Sequence, residues 1–168
     1  MSVIVICPDH ENTPKGGVFV FQSMYNGSMF SPSQKKSFAE ACVTSAGTHG
    51  EALAAAYLEK NGYTVLARNY KNDRGYRVGE IDIVARKSKT IVFVEVKTRV
   101  IATESELSTV LPEANITPAK LRKLTRIAQI YLAHHALRNA DYRFDAIALW
   151  IDEMGTCRQL KHMESIFF

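Results

Sequence analysis

The stretch 79-GEIDIVARKSKTIVFVEVKTR-99 decides the fold. Its two runs rich in Ile, Val and Phe, Gly79 to Arg86 and Thr90 to Thr98, are separated only by a short polar connection around Lys87-Ser88-Lys89. That texture predicts two strands joined as an antiparallel hairpin. Charged residues nevertheless stand inside the runs. Side chains alternate along a strand, so Glu80 and Asp82 share one face with Ile81 and Ile83 on the other, while Glu95 and Lys97 share a face opposite Val94 and Val96. Whether the charged faces coincide depends on the turn, because a one-residue slip exchanges every side chain's face. A two-residue loop at Ser88-Lys89 pairs Asp82 with Glu95 and Glu80 with Lys97; a three-residue loop separates them unless a bulge intervenes.

If the faces coincide, two carboxylates meet between apolar strands, where unpaired charge costs several kcal/mol or more. A hard divalent cation offsets that cost, since Mg²⁺ is commonly held by one or two carboxylates together with water and substrate phosphate. Such an ion eases deprotonation of water and stabilises charge on a phosphate oxygen. Lys97 would then lie beside it, placed to orient the attacking water or neutralise developing charge. The competing reading is a hairpin with one solvated charged face and surface ion pairs worth about 0 to 1 kcal/mol.

Outward from the hairpin, Ala52, Leu53, Ala55, Ala56, Tyr57 and Leu58 suit a helix that Asn61-Gly62 stops, with its start near position 37 or near position 48. Thr48-His49-Gly50-Glu51 fits the S/T-x-x-E capping box, in which the glutamate closes a helix N-terminus. Thr64 to Asn69 reads as the first strand of the domain. After a loop over 100 to 116, Thr117 as N-cap and Pro118 at the first position open a second helix. Its apolar stripe of Leu121, Leu124, Ile127, Ala128, Tyr131 and Leu132 runs to about Leu137. Arg143 to Ile151 reads as a further strand and Cys157 to Leu160 as a weaker one. Residues 1 to 36 hold two β-like runs, Val3 to Ile6 and Val18 to Phe21, among Pro and Gly, and are expected to form a poorly ordered N-terminal extension to a domain over 37–168.

The 168-residue length is enough for one core without staples. With 46% hydrophobic and 23% charged residues the chain is globular rather than disordered. A net charge of +4 is compatible with a polyanionic partner without requiring one. Cys7, Cys42 and Cys157 show no C-x-x-C spacing, which signals neither zinc nor a disulfide framework and fits a reducing cytoplasm. No apolar run approaches the roughly 20 residues that span a bilayer, and MSVIVICPDH lacks the basic n-region of a signal peptide.

The segments His49-Gly50-Glu51, Arg68-Asn69-Tyr70, Gly79-Glu80-Ile81-Asp82, Phe93-Val94-Glu95-Val96-Lys97-Thr98-Arg99 and Arg143-Phe144-Asp145 occur together in this order. Over about residues 47 to 168 the chain resembles the YraN-like family of small bacterial proteins. That family is similar to the PD-(D/E)XK nuclease superfamily, the restriction endonuclease-like fold, close to archaeal Holliday-junction resolvases. The resemblance implies an α/β domain with a central mixed sheet flanked by helices, and metal-dependent hydrolysis of nucleic-acid phosphodiesters, branched DNA included, with Mg²⁺ or Mn²⁺. It assigns Glu51 to the acidic position of the first helix, Asp82 to the central metal-binding aspartate, and Glu95 and Lys97 to the E-x-K, so that Glu51, Asp82 and Glu95 would hold metal. Glu80 belongs to the G-E-x-D segment as a ligand or a support. Two features depart from the family: the N-terminal extension, and a loop after Arg99 made acidic by Glu104, Glu106 and Glu113.

Lys120, Arg122, Lys123 and Arg126 cluster in the second helix, where they could track phosphates or simply form the outer face of an amphipathic helix. Arg99, Lys120 and Lys123 are the candidate substrate contacts. His134 and His135 point about 100° apart on a helix, a poor metal pair. Arg143-Phe144-Asp145 reads as structural, and Tyr57, Tyr131 and Trp150 as core. The expectation is therefore a Mg²⁺-dependent endonuclease acting on DNA or RNA. A junction-cutting enzyme would in addition call for a symmetric homodimer. The alternative is a catalytically inactive nucleic-acid-binding or complex-assembly module of the same fold.

Overall fold

The hairpin forms as Glu80–Lys87 and Thr90–Val100, joined by the two-residue turn Ser88-Lys89. Ser88 takes a φ of 55°, the positive value that primed hairpin turns require at that position. The computed structural model describes residues 3–6, 32–72, 79–103 and 118–166, and the side chains of 46–72, 79–103 and 119–166. In chain order the elements are β1 (Val3–Ile6), α1 (Pro32–Lys60), β2 (Thr64–Lys71), β3 (Glu80–Lys87), β4 (Thr90–Val100), α2 (Pro118–His134), β5 (Tyr142–Ile151) and β6 (Cys157–Met163).

These strands form one six-stranded mixed sheet of order β1-β6-β5-β4-β3-β2. Only β4 and β5 are parallel, and α2 is the crossover between them. All residues from Phe144 to Ile151 on β5 are buried, as a central strand covered on both faces requires. Alternation on β4 sorts the two cores. Val92 and Val94 pack with Ala54, Ala55 and Leu58 of α1, while Ile91 and Phe93 pack with Leu124, Ile127, Ala128 and Tyr131 of α2. The helices thus cover opposite faces, an α/β architecture consistent with the restriction endonuclease-like fold.

α1 stops where Asn61-Gly62 predicts. Gly62 adopts φ 80°, its N–H reaches the Glu59 carbonyl at 3.0 Å, and the Tyr63 N–H reaches that of Leu58 at 3.0 Å. This is the Schellman cap, with Tyr63 and Leu58 both buried in one cluster. α2 ends at His134, three residues before the expected limit, because the same pair of bonds closes it: Ala136 N–H to Ala133 and Leu137 N–H to Leu132, with Ala136 at φ 56°. Pro118 does open α2; Thr117 and the acidic loop lie outside the described residues. α1 begins at Pro32, earlier than either expected start, and Val3–Ile6 forms the edge strand against β6. Trp150 and Tyr131 are core as expected, and none of the described helices is long and apolar enough to cross a membrane.

Candidate metal and nucleic-acid site

The site lies where β3 and β4 part. Their ladder runs from Lys87↔Thr90 to Ile83↔Val94 and ends there. Beyond that point β3 stays with β2 as far as Lys71↔Glu80, and β4 stays with β5 as far as Val100↔Ile151. Carried one step past its last pair, the register sets Asp82 across from Glu95, as a two-residue turn requires. Asp82 occupies the gap, where its Oδ2 accepts the Val96 N–H at 2.7 Å in place of a ladder bond.

Two expectations about this hairpin are corrected. Glu80 does not pair with Lys97; it forms an exposed ion pair with Lys71 of β2 at 3.0 Å, because β3 follows β2 after the split. Ile81 and Ile83 do not share a face either. Ile83 packs on the α1 side and Ile81 on the α2 side, so strict alternation fails where the strand leaves its partner.

Burial pushes the Asp82 carboxyl up to about 7, and the negative charges of Glu95, Glu51 and Glu80 push in the same direction. The bond from Val96 N–H opposes them only in part. Three carboxylates, one each from α1, β3 and β4, therefore act on Asp82 at this point.

Glu51 reaches the site from the middle of a continuous 29-residue helix, which excludes the capping-box reading: there is no helix N-terminus at Thr48 to close. Gly50 brings that helix in. A Cβ at this position would fall inside the Thr98 hydroxyl and 2.9 Å from the Thr98 Cβ, so only glycine lets α1 lie so close to β4. The buried Thr98 hydroxyl makes no hydrogen bond among the described residues. His49 anchors the same turn by donating from Nε2 to the Gly155 carbonyl at 2.8 Å. Asn69 then orients Glu51, its Nδ2 donating to Oε2 at 2.9 Å from a backbone φ of 51°. Neither contact was foreseen, although Arg68-Asn69-Tyr70 and His49-Gly50-Glu51 carry their signal.

On the α2 side, Gly79, Glu80, Asp82 and Glu95 face Ala119, Lys120, Lys123 and Leu124 across a pocket of about 420 Å³. Glu95 is paired with the Lys120 ammonium. Lys123 lines the pocket and is exposed. Lys97 is exposed and Arg99 partly buried further along β4, and neither lines the pocket. The structure thus gathers Glu80, Asp82, Glu95, Lys120 and Lys123, brings Glu51 within electrostatic reach, and leaves Lys97 and Arg99 at the margin. An all-oxygen donor set with excess negative charge, already attended by an ammonium, could hold a hard divalent cation such as Mg²⁺ or Mn²⁺ on Asp82 and Glu95.

A second charged group serves the fold. Asp145 and His162 are fully buried. Burial alone would raise the Asp145 carboxyl, but hydrogen bonds from His162, Arg143 and the Ser165 N–H outweigh it and hold the carboxyl low. Arg143 also reaches Glu164 at 3.3 Å and the Tyr63 hydroxyl at 3.0 Å. Asp145, His162 and Glu164 stand close enough to share an ion, but the Arg143 guanidinium already fills that role. Arg143-Phe144-Asp145 is structural, as its sequence suggested.

Residues 50–149 match the uncharacterised protein family UPF0102. A UPF0102 protein of Geobacter sulfurreducens is 43% identical over 121 residues, covering 72% of this chain and 87% of its own length. Another, of Chlorobium phaeobacteroides, is 40% identical over 108 residues, covering 64% and 78%. A third, of Caldanaerobacter subterraneus, is 36% identical over 122 residues, covering 72% and 93%. The matched region contains Glu51, Asp82, Glu95, Lys97 and Lys120, and the chain belongs to the UPF0102 (YraN) family.

Proposed function

We propose that the protein is a divalent-metal-dependent nuclease that hydrolyses nucleic-acid phosphodiesters. The observation that carries this reading is the confrontation of Asp82 and Glu95 at the strand split, beside a pocket whose other wall is the lysine-bearing first turns of α2. Asp82 and Glu95 would hold Mg²⁺ or Mn²⁺, with Glu51 completing the acidic set. Bound there, the ion would supply Lewis-acid stabilisation of charge on a phosphate oxygen and a lower pKa for water. Lys123 and Arg99 would grip backbone phosphates flanking the pocket. Lys97, two residues from Glu95 on β4, would turn toward the pocket when substrate fills it and orient the attacking water. On this reading the partner is DNA, met in a reducing cytoplasm, and action on a four-way junction would require a symmetric dimer.

One observation favours a second reading. Lys97 is exposed and outside the pocket lining, which suits a module that keeps the fold and binds nucleic acid without turnover. Incubating the protein with labelled duplex, single-stranded and four-way-junction DNA in Mg²⁺ or Mn²⁺ separates the two. Metal-dependent cutting supports the nuclease and ranks its substrates. Binding without cutting selects the module.

A further inference from the structure

The sheet face that carries Glu95 continues past α2, whose core reaches β5 only at Phe144. Beyond it, Glu95, Lys97 and Arg99 on β4 lie in register with Ala146, Ala148 and Trp150 on β5, and these with Met163, Lys161 and Gln159 on β6. Cross-strand partners share a face, whereas Ile147, Leu149 and Leu160 turn the other way and pack with α1. Three cations, Lys97, Arg99 and Lys161, thus stand on one face beside the metal pocket. Only the short side chain of Ala148 comes between the two lysines. None of the three makes an ion pair among the described residues.

Lys161 is also aimed. Its ammonium lies 5.3 Å from the centre of the Trp150 ring, two residues along β5 from its register partner Ala148. Trp150 is buried in a cluster with Ile101 and Ala148, so the ring is a fixed support. Attraction of the cation to that ring draws the ammonium off β6 and over β5, toward the row that holds Arg99. Strands two apart stand about 10 Å from each other, and the lean brings the three charges to roughly one Debye length, where their potentials add. A polyanion supplies the counter-charge that no described carboxylate gives them.

On the reading that the partner is nucleic acid, we infer that Lys161 is a further phosphate-binding residue, and that the substrate backbone leaving the metal pocket crosses the sheet over Lys97 and Arg99 to reach it. A contact of this kind grips the backbone and is blind to base sequence.

The test uses the full chain, with circular dichroism to show that each variant is folded. Fluorescence anisotropy with Ca²⁺ in place of Mn²⁺ measures binding of two labelled duplexes of unrelated sequence over a range of salt concentrations. The proteins are wild type, Lys161→Gln, Lys161→Arg and Arg86→Gln; Arg86 is exposed at the turn end of the same hairpin. Lys161→Gln should weaken both duplexes by on the order of fivefold and lower the slope of log K against log salt by about one. Lys161→Arg keeps the cation and should bind as wild type does, as should Arg86→Gln. Wild-type affinity and slope in Lys161→Gln overturn the inference and spare the nucleic-acid reading. Equal losses in Lys161→Gln and Arg86→Gln also overturn it, because net charge alone then accounts for both. Absence of binding by wild type overturns the nucleic-acid reading and the inference with it.

Discussion

The Asp82 carboxylate accepts the Val96 N–H at 2.7 Å across the gap where β3 and β4 separate. One oxygen thereby closes the sheet, while the group as a whole sits among Glu95, Glu51 and Glu80 with its pKa pushed up to about 7. In the unfolded chain the same carboxyl titrates near 3.8, the ordinary value for an aspartate. The folded state thus holds the proton more tightly, and Asp82 makes stability fall as pH rises from about 4 to about 7. The full linkage is at most about 4 kcal/mol. Without added metal, Asp82→Asn should be more stable than wild type at pH 8, and the difference should shrink toward pH 4. Urea melts at several pH values read this directly; a variant less stable at pH 8 contradicts the electrostatic account.

Gly50 sets the distance between α1 and β4. Gly50→Ala should cost about 1–3 kcal/mol through overpacking against Thr98, and Thr98→Ala should restore part of that loss by removing the hydroxyl. Thermal melts of the two single variants and the double variant measure the coupling. Additive losses would mean that the two residues do not touch.

Asn69 holds Glu51 at 2.9 Å while its own backbone lies at φ 51°. Asn69→Gly keeps that backbone accessible and removes only the side-chain bond. Its melting temperature should stay near wild type, while Mn²⁺ affinity falls a few-fold. An unchanged affinity in calorimetry would detach Glu51 from the metal site.

Asp145 accepts hydrogen bonds from Arg143, His162 and the Ser165 N–H with no exposure to water. With the imidazole proton on Nε2, the His162 Nδ1 is left to accept from the Tyr57 hydroxyl at 3.4 Å. Asp145→Ala strands these donors and should cost about 3–5 kcal/mol, seen as a drop in the urea midpoint. A loss below about 1 kcal/mol, the scale of an exposed ion pair, would place the group at the surface.

The strands and the second helix were legible because their apolar runs are long and their breakers local: Ser88-Lys89, Asn61-Gly62 and Pro118 each act within a few residues. The start of α1 was not, since Ala41, Thr44, Ser45, Ala46 and Gly47 are small residues that give no apolar stripe to follow. Glu51 was readable two ways, because the capping-box signature says nothing of whether a helix already runs through it. The hairpin register hung on the turn length, which the sequence left open. Ile81 and Ile83 misled because alternation holds only while a strand keeps its partner. The ion pair of Glu95 with Lys120 spans two elements and an intervening loop, and no local pattern announces such a contact.

The central claim is that carboxylates interrupt the sheet at Asp82 and Glu95 in order to hold a catalytic metal. The most direct measurement is the cleavage of labelled four-way-junction and duplex DNA in Mn²⁺ by wild type, Asp82→Ala and Lys97→Ala, each first shown to be folded. The account predicts metal-dependent cutting by wild type that falls by at least about a hundredfold in both variants. Cutting that persists in Asp82→Ala, or wild type that binds DNA in Mn²⁺ and never cuts it, would contradict it.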